Sequence, residues 1–142
     1  DNTWNNLFPG FLIKITQRFA RKFFGLTEIK LPSVMDALNF TPAERESCEV
    51  RKDPTLHYAA RFAAKEAAMK ALGTGWSGGI AFTDFEIHSN SSGPPVLQVA
   101  GHAAKVAAKH GIEAWVLSLT HTDHTAGAVV LAIFQTPGQN HG

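Results

Sequence analysis

The chain is short of several things, and each shortage removes a class of explanation. Cys48 is its only cysteine, so an intrachain disulfide is impossible and a reducing cytoplasmic setting is expected. Placed inside an expected helix, that thiol reads as a structural group, not a nucleophile. No apolar run approaches the ~18 residues that a membrane span needs, so no membrane partner is expected. The first ten residues lack a charged stretch followed by a long apolar core, so they do not read as a signal peptide. There is almost no net charge: 13 Lys and Arg against 12 Asp and Glu give +1. No global field therefore draws the protein to nucleic acid or to a membrane surface. Six of the seven histidines, His57, His88, His102, His110, His124 and His141, follow no metal-ligand spacing and read as surface residues, which argues against zinc, and no repeat of solenoid length occurs.

What is present is an ordinary globular composition, 44% hydrophobic and 18% charged over 142 residues. That length suits one domain with a real core, with 1–10 and 136–142 as flexible ends. Phe11 to Ile15 reads as a strand, Thr16 to Phe24 as a basic amphipathic helix, and Pro32 to Leu38 as a short helical piece. Thr41-Pro42-Ala43-Glu44 is a capping box with proline at N1, predicting a helix from Pro42 to about Arg51. Asp53-Pro54-Thr55 should break it, and a long helix should follow from Leu56 to Leu72, closed by Gly73. Phe82 to His88 and Pro95 to Val99 read as a hairpin, Gly101 to His110 as a helix. Ala114 to Thr120 and Ala126 to Ile133 read as an antiparallel pair. Helices on one antiparallel sheet define an α+β fold.

The long helix carries the most informative residues. Side chains four apart share a face, so Phe62, Glu66 and Lys70 form one stripe and Arg61, Lys65 and Met69 another. One acid among three cations, ending in Gly73-Thr74-Gly75, suits an ion-bridged phosphate ligand. By spacing alone, the commoner meaning is an i,i+4 ion pair on a solvated helix.

The stretch Arg61-Phe62-Ala63-Ala64-Lys65-Glu66-Ala67-Ala68-Met69-Lys70-Ala71-Leu72-Gly73-Thr74-Gly75 resembles the signature of the 4'-phosphopantetheinyl transferases, in particular the small holo-acyl-carrier-protein synthase type. Further blocks follow in order. Phe40-Thr41-Pro42-Ala43-Glu44, Asp84-Phe85-Glu86-Ile87, Gly93-Pro94-Pro95 and Ser118-Leu119-Thr120-His121-Thr122 are all similar to that family. Together they lie between Phe40 and Ile133, about two-thirds of the chain. The resemblance implies an antiparallel sheet against a long helix, in the short type that assembles as a homotrimer. It implies transfer of the 4'-phosphopantetheine arm of coenzyme A to a serine of an acyl carrier protein of fatty acid or polyketide synthesis, with release of 3',5'-ADP and help from Mg²⁺. Glu66 would hold the metal, and Glu66, Lys70 and His121 would be the catalytic residues. Arg61, Lys65, Lys70, Gly73, Gly93, Pro95, His121 and Thr122 would contact the coenzyme. The cations Lys14, Arg18, Arg21 and Lys22, interleaved with Phe19, Phe23 and Phe24, would form the docking surface for the acidic carrier protein.

The sequence departs from that pattern in places. The family's first strand carries an aspartate that is a second metal ligand, and the interval back from Phe40 lands near Lys14-Ile15-Thr16, where no acid stands. Glu28 in Gly25-Leu26-Thr27-Glu28-Ile29 is the alternative candidate. Pro94 stands where Lys or Arg is frequent, and Met69 where a small or polar residue is. These departures leave a second reading, a relative that binds coenzyme A or a carrier protein without efficient transfer. A purely structural domain would leave Glu66, Lys70 and His121 unexplained.

Overall fold

Local capping chemistry sets where the helices begin. A computed structural model describes residues 10–16, 39–74, 78–90 and 92–136. Helix α1 (Pro42–Glu49) starts with both halves of its capping box made: the Glu44 amide donates to the Thr41 hydroxyl at 3.3 Å, and the Thr41 amide donates to the Glu44 carboxylate at 3.0 Å. It ends two residues before Arg51, whose amide closes a tight turn on the Cys48 carbonyl. Helix α2 (Pro54–Leu72) starts earlier than expected. Asp53 does not merely interrupt the chain; its carboxylate accepts from the Thr55 amide at 3.1 Å and caps α2, with Pro54 in the first turn. Gly73 closes α2 with φ +83°, its amide donating to the carbonyls of Met69 and Lys70.

Two antiparallel sheets are described where one was expected. Strands β1 (Gly10–Thr16), β5 (Thr125–Phe134) and β4 (Ile112–His121) form a three-stranded sheet in the order β1-β5-β4. Strands β2 (Phe85–His88) and β3 (Val96–Val99) form a separate hairpin. Helix α2 lies across the larger sheet, against β5, β1 and β4. Its buried alanines, among them Ala63, Ala64, Ala67 and Ala68, face buried Ala128 and Val130 of β5. Small side chains on both surfaces let helix and sheet approach closely. Phe82, Phe85, Ile87, Leu97 and Leu72 complete the core.

The strand expected from Phe82 is shorter than its alternation indicated. Phe82–Asp84 is a 3-10 turn, because the Asp84 carboxylate accepts from the amides of Ala81 (3.4 Å) and Ala103 (3.2 Å). It thereby ties the turn to the start of α3 (Gly101–Lys109). Gly101 sits there with φ +57°, and a Cβ would stand 2.4 Å from an Asp84 carboxylate oxygen. Gly101→Ala should therefore cost about 1–3 kcal/mol through backbone strain, plus a displaced carboxylate. A thermal melt of the variant checks this, and an unchanged midpoint would contradict it.

Of the basic helix expected from Thr16 to Phe24, Thr16 instead ends β1; the rest of it, the piece from Pro32 to Leu38, and Arg18, Arg21, Lys22, Glu28 and Gly75 lie outside the described residues. Lys14 is described, and it corrects one expectation. It belongs to β1, opposite Gly127, and so is not part of a helical row of cations.

Candidate active site

Burial separates the two stripes of α2. Phe62 and Glu66 are partly buried and Lys70 is exposed, whereas Arg61, Lys65 and Met69 are interior. Burial raises the Glu66 pKa above its ordinary value of 4.5, and the Lys70 ammonium one turn on pulls it part of the way back. A carboxylate whose charged form is disfavoured, kept at the helix surface beside a cation, is the group that a further positive charge would stabilise.

Two residues expected to contact the coenzyme lie in the interior of the chain. Lys65 is 0% exposed, and its ammonium donates to the Glu44 carboxylate at 2.7 Å and to the Phe82 carbonyl at 3.0 Å. The Phe40 ring lies 5.3 Å from it. Glu44 also accepts from the Ile87 amide at 2.9 Å, so this pair ties α1, α2 and β2 together. Enclosed in that way, the Lys65 ammonium is engaged by protein partners. Burial lowers its pKa, and Glu44 opposes the shift. Arg61 is 2% exposed, with its NH groups donating to the hydroxyls of Ser47 and Ser89 (both 3.0 Å) and to the His57 carbonyl (3.4 Å). It too serves the interior. Helical spacing placed Arg61 and Lys65 on a different stripe from Lys70, but nothing in the sequence told which stripe would turn inward.

His121 ends β4 on the α2 side of the sheet and is exposed. Its ring stands 5.9 Å from that of His57, edge to face at 62°. No sequence pattern pairs them, because they are brought together only by the docking of α2 on β4. Thr122 begins the β4–β5 turn, its hydroxyl accepting from the amides of His124 (3.3 Å) and Thr125 (3.1 Å). Gly93, exposed, and Pro95, partly buried, lie in the β2–β3 connection, in a different sheet from the one that carries His121.

The expected catalytic residues are therefore split along α2. His57 marks the level of His121, and at 1.5 Å per residue Glu66 lies about 13 Å and Lys70 about 20 Å further along the axis. One chain does not bring His121 to Lys70. As a metal centre the donor set is sparse: among the described residues no three His, Cys, Asp or Glu come together to hold an ion. Glu66 offers one hard carboxylate, which fits a cation that keeps waters and takes phosphate oxygens as its other ligands.

A long alanine-rich helix lies on an antiparallel sheet, with Glu66 partly buried and Lys70 exposed on one stripe. Residues 13–129 match the 4'-phosphopantetheinyl transferase superfamily, and the chain belongs to that family. Among its relatives is the holo-[acyl-carrier-protein] synthase of Desulforudis audaxviator, 48% identical over 100 residues that cover 70% of this chain and 76% of that protein. The crystal structure of holo-[acyl-carrier-protein] synthase from Neisseria meningitidis superposes with a TM-score of 0.73 at 26% identity, over 87% of this chain and 96% of that one. The Chronobacterium ammoniagenes ACPS–CoA complex gives 0.69 at 26% identity, over 89% and 97%. No described helix is long and apolar enough to cross a membrane.

Proposed function

We propose that this chain transfers the 4'-phosphopantetheine arm of coenzyme A to a serine hydroxyl of an apo acyl carrier protein in the cytoplasm, releasing 3',5'-ADP, at a site completed between copies of the chain. The observation that carries the reading is the Glu66–Lys70 pair, a charge-disfavoured carboxylate one turn from an ammonium on the solvent side of α2. The relative solved with coenzyme A supports the coenzyme as the ligand.

The serine oxygen forms a new bond to the β-phosphorus as the bond to the 3',5'-ADP oxygen breaks, and the serine proton passes to solvent water. Lys70 stabilises negative charge on the departing diphosphate oxygen, a form of electrostatic catalysis worth orders of magnitude in rate. His121 and Thr122 orient the nucleotide, and the Gly73 turn gives its backbone a close approach. Glu66 is the residue that would hold Mg²⁺, which when bound supplies neutralisation of the diphosphate charge.

The homotrimer is what the family resemblance implies; the axial distance between His121 and Lys70 supports only a site shared between chains, in which His121 of one chain meets Glu66 and Lys70 of its neighbour. The sheet face turned away from α2 supports association, since Val116 (51% exposed), Leu131 and Ile133 (both 39%) lie on it. The basic segment around Arg18, Arg21 and Lys22 is the proposed approach for the acidic carrier protein.

One observation favours the second reading, of a coenzyme-binding relative with weak transfer. The only charged residue of β1 is Lys14, where an acid was expected. Incubating the chain with apo carrier protein, coenzyme A and graded Mg²⁺, then weighing the carrier protein, decides between the two. A mass gain of one phosphopantetheine arm is expected. Coenzyme binding with no gain at any Mg²⁺ concentration would establish the second reading instead.

A further inference from the structure

The contact between His57 and His121 has no part in the chemistry above, yet the residues behind it are arranged to hold it. His57 sits in the first turns of α2, and its carbonyl accepts from Arg61. Arg61 in turn is anchored by Ser47 on α1 and by Ser89, just beyond β2. A buried guanidinium thus locks the turn that carries His57. His121 stands at the very end of β4, where the chain leaves the sheet for the exposed residues 122–124. Of the ring contacts described, only that with His57 involves His121.

We propose that His57 is a positioning residue for coenzyme A, its ring holding the His121 imidazole edge-on in the orientation that meets the nucleotide. This rests on the reading of His121 as a nucleotide contact. The groups that face His57 are Arg51 in the turn after α1, Asp53 at the α2 cap, Arg61 on α2 and His121 on β4. Burial, the two arginines and His121 lower the His57 pKa below its ordinary 6.5, against a smaller opposing pull from Asp53. At neutral pH His57 is therefore uncharged, and the two rings pack without repulsion. The sign follows directly. A base with a depressed native pKa contributes stability above its unfolded value and loses it as pH falls through the native one. The contact should thus weaken in acid, when the His57 ring becomes cationic beside Arg51 and Arg61.

Steady-state kinetics on the full chain with coenzyme A and apo carrier protein test this, using His57→Ala, His57→Phe, His121→Ala and the double variant H57A/H121A. His57→Ala should raise KM for coenzyme A about three- to tenfold, the scale of one aromatic ring contact, with kcat within about twofold. His57→Phe should restore most of that affinity, because it keeps a ring. It should also flatten the rise in KM on acidification, because that ring does not titrate. The double variant should be no worse than His121→Ala.

An unchanged KM in His57→Ala, an equal loss in His57→Phe, or additive losses in the double variant would overturn the positioning role and leave the proposed function standing. A normal KM in His121→Ala would instead remove the underlying reading of His121. Should His57→Ala fold poorly, the pH profile of His57→Phe still decides, and a profile like that of the unaltered chain counts against the proposal.

Discussion

Replacing Lys65 by methionine should cost about 3–5 kcal/mol of folding stability, the usual consequence of removing one member of a buried ion pair. Methionine fills a similar volume, so the loss would be electrostatic. Glu44, 1% exposed, would keep its bonds from the amides of Thr41 and Ile87 and lose its ammonium partner at 2.7 Å. The Phe82 carbonyl would lose a donor at the same time. The double variant E44Q/K65M should recover much of the loss, because it removes both charges together. Urea denaturation measures both. If Lys65→Met left the midpoint in place and instead abolished coenzyme A binding, the structural assignment of Lys65 would be wrong.

Glu66→Gln should lower transfer by about 10²–10³-fold while making the folded chain more resistant to heat above neutral pH. The two effects have one cause. Burial disfavours the Glu66 carboxylate, so its native pKa lies above the unfolded value of 4.5. Stability linked to this group is therefore full below pH 4.5 and declines as pH rises through the native value. Glutamine has no proton to lose and escapes the decline. Melting curves from pH 4 to pH 8 should show the variant and the unaltered chain converging at the acid end and separating at the alkaline end. A lower midpoint for Glu66→Gln at pH 8 would contradict the burial argument, and unimpaired transfer would remove Glu66 from the active site.

Much of the architecture was legible because it depends on neighbours in sequence. The capping box at Thr41 and Glu44 and the left-handed close at Gly73 are contacts between residues a few positions apart. The alternation and turn residues around Thr122 and Asp123 likewise announced the β4–β5 hairpin, found with His121 opposite Ala126. Where local pattern misled, a distant partner intervened. Alternation continued through Phe82, but the Ala103 amide drew Asp84 into a turn. Asp53-Pro54-Thr55 looked like an interruption, yet Asp53 caps the helix that follows.

The residues from Arg61 to Lys70 show the division most clearly. Their order and spacing alone determined that the segment is helical, that its charges fall into two rows, and which family it resembles. Which row would face the core depended on the sheet behind it and on Glu44, more than twenty residues away in sequence. Only packing could turn Lys65 inward while leaving Lys70 in water, because the cost of dehydrating an ammonium is set by whatever surrounds it in space.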